Sequence, residues 1–110
     1  GVIMMIDEYI YNDVLGKEIV LTSAVRSVIL QKHPEVIYFI EDIERILADP
    51  DEIRRSIRDE RVILYYRFDA RILNGKWLVV VVKQIDRNFV STIYATDQIK
   101  SGDMLWKKMM

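Results

Sequence analysis

The sequence predicts an α+β domain with helices on one face of an antiparallel sheet, and two changes of pattern predict it. Apolar residues recur at helical spacing between Ala24 and Ala48. From Arg61 onward, β-branched and aromatic residues take over in strand-like runs, and Asn74-Gly75 sits between two of them. Helices grouped first and strands later segregate into two layers, because each element has one apolar side to bury.

The elements follow in chain order. "KEIVLT" (Lys17–Thr22) is a short strand, and Thr22 or Ser23 caps a helix from about Ala24 to Lys32. Val25, Val28 and Ile29 give that helix an apolar stripe. His33-Pro34 breaks it, since the residue before a proline avoids the α region. Pro34 suits the first turn of a second helix, where its missing N–H costs nothing. That helix is expected to reach about Ala48, burying Val36, Ile40, Ile43 and Leu47, with Phe39 and Ile46 widening the stripe. Asp49-Pro50 ends it, and "DEIRRSI" is expected to add a short helical turn. "RVILYYRFDARIL" and "KWLVVVVKQID" then form a tight hairpin through Asn74-Gly75. Arg87-Asn88 turns the chain into "FVSTIYATD", completing a three-strand meander. "KSGDMLWKK" closes the chain, with Trp106 packed back on the core. Gly16, Gly75 and Gly102 read as turn positions.

Composition narrows the function. A chain of 110 residues, 51% hydrophobic and 30% charged, is expected to form a single globular domain over residues 1–110. Its longest apolar run, Trp77–Val82, is far too short to span a bilayer, so no membrane partner is expected. "GVIMMIDEY" lacks the basic start of a signal peptide. No cysteine is present, which excludes disulfides, thiolate zinc sites and cysteine nucleophiles. It also fits a reducing compartment, and a cytoplasmic location is the expectation. With one histidine, a histidine-rich metal site is not expected, and no metal or cofactor is assigned. Gly-rich phosphate loops, serine nucleophile elbows and zinc-protease motifs are absent. The formal net charge is −1, yet Gly1–Ile53 carries four basic residues against eleven acids and Arg54–Met110 twelve against six. That asymmetry predicts either two surfaces of opposite potential or charges mixed by the fold.

The polar residues suggest one chemistry. RNA cleavage without a metal needs a base for the 2′-OH, an acid for the leaving oxygen, and cations or N–H donors for the phosphate. His33 suits proton transfer, because imidazole ordinarily titrates near neutral pH. Alternation places Val90, Thr92, Tyr94 and Thr96 on one side of the last meander strand. Arg67, Lys83, Thr92 and Tyr94 are then expected to converge on one open face. Arg67 and Lys83 suit phosphate, Tyr94 suits stacking or hydrogen bonding, and Thr92 suits a phosphate oxygen. Each has a plainer role beside this one. His33 also fits a helix junction, the cations fit solvated surfaces, and Thr and Tyr are ordinary strand formers.

"LTSAVRSVILQKHPEV", "IEDIERILADPDEIRRS" and "LVVVVK…FVSTIYATDQIKSGDMLWKK" together resemble small phage-associated domains of the barnase–EndoU–colicin–RelE-like (BECR) superfamily, over about Leu21 to Lys108. The resemblance implies two N-terminal helices packed on a curved antiparallel sheet. It also implies a metal-independent, toxin-like ribonuclease. On this basis His33, Lys83, Thr92 and Tyr94 are the catalytic candidates, and Arg26, Arg67 and Arg71 the substrate-binding ones. RNA is the expected substrate, and an inhibitor protein or a second copy are the expected protein partners. Val28 departs from the pattern, which carries a second histidine there. The alternative is therefore an inactive protein-interaction module of the same fold, homodimeric in one version.

Overall fold

The computed structural model describes residues 7–72 and 74–109. The segment Gly1–Ile6, read above for its lack of a basic leader, lies outside the described residues, as do Leu73 of the expected hairpin and Met110. The described chain is an α+β fold. Its elements are β1 (Glu8–Asn12), β2 (Glu18–Thr22), α1 (Ser23–Lys32), the 3-10 segments Pro34–Tyr38 and Ile40–Asp42, α2 (Ile43–Ala48), β3 (Glu52–Ser56), β4 (Val62–Asp69), β5 (Lys76–Gln84), β6 (Asn88–Thr96) and β7 (Gly102–Lys107). The strands form one seven-stranded sheet in the order β1-β2-β6-β5-β4-β3-β7. The β4–β5–β6 meander is its centre, as the sequence indicates. Two strands precede the helices, and β2 runs parallel to β6, so the sheet is mixed rather than purely antiparallel.

The helical layer buries one side of that sheet. Ile29, Val36, Phe39, Ile40, Ile43, Ile46 and Leu47 pack with Ile19, Leu21, Ile53, Ile63, Tyr65, Leu78, Val80, Val82, Val90 and Ile93 in a single core, and Trp106 packs against it. Val28 points away and is 44% exposed, so the α1 stripe is narrower than its sequence suggests. Thr22 caps α1 as expected, its Oγ1 accepting from the Val25 N–H at 3.1 Å.

The second helix is corrected. Only Ile43–Ala48 is α-helical; Val36 N–H bonds His33 O, Phe39 N–H bonds Val36 O, and Asp42 N–H bonds Phe39 O. These are three-residue steps, and they match the buried residues. Val36/Phe39 and Ile40/Ile43 are each three apart, the spacing that eclipses on a 3-10 helix. "DEIRRSI" is also corrected, from helical turn to strand β3. Ile53 supplies a core side chain, Arg54 pairs with Glu52, and the backbone is held between β4 and β7. The β4–β5 link is longer than a two-residue hairpin, since pairing stops at Asp69 and Lys76. Asn74 and Gly75 do take positive φ, at 66° and 102°. Gly102 is not in a turn. It opens β7, where an added Cβ would lie 2.6 Å from Arg55 O.

One buried polar contact fixes the β1–β2 corner. Asp13 Oδ1 accepts from the Leu15 and Lys17 N–H groups, and Oδ2 accepts from the Tyr65 hydroxyl at 2.6 Å. Burial and the Asp13 carboxylate both push the Tyr65 hydroxyl well above its ordinary pKa, so it stays a donor. Tyr65→Phe leaves a buried carboxylate oxygen without its partner. It should cost about 1–3 kcal/mol in urea unfolding; an unchanged midpoint would show that the contact contributes nothing.

Candidate functional site

The site arises where a strand outlasts its neighbour. Pairing of β2 with β6 is confined to Val20 and Phe89, because β2 ends at Thr22 and the chain turns into α1. Beyond Ser91 the outer edge of β6 has no neighbouring strand among the described residues. A groove of about 820 Å³ follows that edge. His33, Glu35, Tyr38 and Phe39 line one side of it, Thr92–Ala95 another, and Arg71 and Ile72 from the β4–β5 link also contribute. Because the groove tracks an edge, side chains from both faces of β6 reach it.

His33, Arg71, Thr92 and Tyr94 therefore meet in one groove. Chain direction explains His33. Its N–H closes α1 on Ile29 O and its carbonyl receives the Val36 N–H, so the residue is pinned at the corner while its side chain remains 55% exposed. Its Nδ1 lies 3.6 Å from Glu35 Oε1. Arg71 is held by a bidentate contact to Asp69, with Nε–Oδ1 at 3.0 Å and Nη2–Oδ2 at 2.8 Å. Two of its five N–H donors are thus committed, and the others remain for a ligand. Burial raises the pKa of Tyr94, with Tyr66 adding to the rise, so Tyr94 acts as a neutral donor rather than as a base.

The expected convergence on one open face is corrected at Arg67. Arg67 is opposite Leu78, on the helix side of the sheet, where its Nη1 contacts Asp49 Oδ2 at 2.8 Å. Arg26 also stays outside the groove, paired with Glu41 and lying over the Tyr9 ring. Lys83 is on the open face but beside Val62 and Phe89, not among the groove residues. The simple alternation expected for β6 fails as well. The register shifts between Val81 and Val82, leaving Ser91 as an extra residue. Such a bulge reverses alternation, so Val90 joins the core while Phe89 shares the open face with Thr92 and Tyr94.

Sequence reasoning missed Glu35, Tyr38, Phe39 and Ile72 as groove residues. Tyr38 carried a usable signal: it is an aromatic lying off the apolar stripe, and it is 86% exposed. The charge asymmetry dissolves in three dimensions. Arg87 reaches Glu8 and Glu18, Lys107 reaches Glu52, Lys108 reaches Asp49, and Arg45 reaches Asp69, so basic and acidic halves neutralise one another. Among the described residues no three His, Asp or Glu side chains gather as a metal site, and no helix is long and apolar enough to cross a membrane.

These features define an α+β domain with a seven-stranded mixed sheet and an open groove beside its sixth strand. Comparison with known proteins finds no matching family model, curated sequence or solved structure.

The Asp69 carboxyl, hydrogen-bonded by Arg71 and also facing Arg45, is held down at about 2. A carboxylate held below its unfolded value adds stability that is complete above that value. The contribution fades as pH falls through the folded value. Stability should therefore decline between about pH 4 and pH 2, and Asp69→Asn should make that decline shallower. Parallel curves for the two proteins in acid unfolding would contradict this.

Proposed function

We propose that the chain is an RNA-directed domain of the BECR type that cleaves single-stranded RNA without a metal. The carrying observation is that His33, Arg71 and the β6 pair Thr92 and Tyr94, from three separate stretches of the sequence, line one groove. The resemblance in sequence and the α+β fold support the same reading.

In this reading the strand lies along the β6 edge. The His33 imidazole takes the proton from the 2′-OH, and the 2′-oxygen attacks phosphorus. The bond from phosphorus to the 5′-oxygen breaks, and that oxygen takes its proton from the Tyr94 hydroxyl. The products are a 2′,3′-cyclic phosphate and a free 5′-OH. Arg71 and Thr92 bind the non-bridging oxygens, where negative charge is fixed near a cation and a hydroxyl donor. The histidine absent at Val28 is not needed in this geometry, because Val28 lies on the exposed side of α1 and outside the groove.

Single-turnover cleavage of a labelled single-stranded RNA in EDTA tests this. His33→Ala should lower the rate by about 100-fold or more while leaving the unfolding midpoint in place. An unchanged rate removes His33 from the mechanism, and an inert wild-type chain rejects cleavage altogether.

One observation favours the second reading, a protein-interaction module. Val36, Phe39, Ile72, Ile93 and Ala95 make much of the groove apolar, and it lies beside a strand edge that is unpaired among the described residues. A second copy or an inhibitor protein adding a strand to β6 would use both features. Light scattering should then show a concentration-dependent dimer, or a stable complex with the inhibitor; a monomer at every concentration counts against the dimer.

A further inference from the structure

We infer that a second groove, on the open face of the sheet, is a nucleotide-binding subsite for the unit of single-stranded RNA next to the one at His33. The inference rests on the RNA reading above but on different residues.

The groove measures about 460 Å³ and is lined by Ser56, Ile57, Arg58, Val62, Leu64, Val81, Tyr94, Lys100 and Ser101. It is built by topology. After β6 the chain must cross the open face to reach β7 at the far side of the sheet. Ile99 anchors that crossing against Leu64, Tyr66 and Val79, and the Lys100 N–H bonds the Tyr66 hydroxyl at 3.3 Å. The crossing segment forms one rim, and Ser56 at the end of β3 and Arg58 just after it contribute another part of the lining. Leu64 and Val81 are cross-strand partners, which makes the floor apolar.

Charge selects the occupant. Most cations of this chain are taken up by carboxylates, including Arg54, Arg61, Arg67, Arg71, Lys76, Lys107 and Lys108. Among the described residues six cations enter no ion pair, Lys17, Lys32, Arg55, Arg58, Lys83 and Lys100, and three of the six gather here. Arg58 and Lys100 line this groove, and Lys83 faces Val62 at its end. Asp59, the nearest acid in sequence, spends both carboxylate oxygens on Arg61. An apolar floor with uncommitted cations and two serines at its rim complements a base joined to a phosphate. Lys100 Nζ lies 5.6 Å from the Tyr94 ring centroid. A base that stacks on the ring takes that place and leaves the ammonium for the phosphate.

Tyr94 lines both grooves. One strand of RNA can therefore pass from the His33 groove over Tyr94 into this subsite, and the residue between them sees two consecutive nucleotides.

The test is calorimetric titration of the intact chain with 5′-AMP, adenosine, inorganic phosphate and a pentanucleotide of adenosine. AMP should bind about tenfold more tightly than adenosine or phosphate alone, because it engages both the floor and the cations. Arg58→Ala and Lys100→Ala, both at exposed positions, should each weaken AMP about fivefold or more, with unfolding midpoints unchanged. His33→Ala should leave AMP binding unaltered. The pentanucleotide should bind more tightly than AMP, because it also reaches the His33 groove. AMP binding no better than adenosine overturns the subsite, as does indifference to both cation variants. Equal affinity for AMP and the pentanucleotide overturns the RNA assignment. AMP binding without RNA cleavage keeps the subsite and rejects the catalytic reading. RNA cleavage that is insensitive to Lys100→Ala, with no AMP binding, does the reverse.

Discussion

The hydrogen bond from the Val25 N–H to Thr22 Oγ1 decides where strand ends and helix begins. A capped helix start cannot also continue a strand, because the residues after the cap have helical backbone. β2 therefore stops after one bridge to β6, while β6 runs on to Thr96 with its outer edge unpaired among the described residues. The helical corner at His33-Pro34 comes next and is held by backbone bonds on both sides. It brings the 3-10 segment alongside that edge at a distance that leaves a groove. A longer β2 would have filled the space, and the site would not exist.

Electrostatics then sorts the surface. An exposed ion pair contributes little to stability, and the many pairs of this chain are best understood by what they remove. They neutralise the basic excess of the C-terminal half, so the protein presents no broad cationic face. Of the cations left without an ion pair among the described residues, Arg58, Lys83 and Lys100 gather around the open-face groove, and Arg71 keeps outward donors in the other. A chain with net charge −1 would hold RNA through a few placed contacts rather than a large field. A modest salt dependence would accompany that mode of binding.

Much of the fold was legible in the sequence because period and punctuation agree. Thr22, His33-Pro34, Asp49-Pro50 and Arg87-Asn88 mark real boundaries, and the residues of the expected stripes are buried apart from Val25 and Val28. The failures have local physical causes. Strand β3 hides behind charges, because Arg54 is accommodated by Glu52 and by the Gly102 carbonyl of the neighbouring strand rather than by solvent alone. The second helix hides its 3-10 character, since spacings of three and four overlap over a few residues. The site was legible only in part. His33, Thr92 and Tyr94 were visible as residue types, but their meeting depends on an unpaired edge, and Arg67 lands on the opposite face through register. The Ser91 bulge has no sequence mark that alternation alone would reveal. Which cations remain unpaired depends in part on carboxylates far away in the chain, as Asp49 is from Arg67 and Lys108.

The central claim is that RNA crosses Tyr94 from one groove to the other. Amide chemical-shift mapping with an unlabelled single-stranded octanucleotide tests it most directly. The account predicts that the amides of His33, Thr92, Tyr94, Lys100 and Ser101 shift together along one titration curve. Shifts confined to the His33 groove would contradict the crossing, and an unresponsive spectrum at low salt would contradict RNA binding itself.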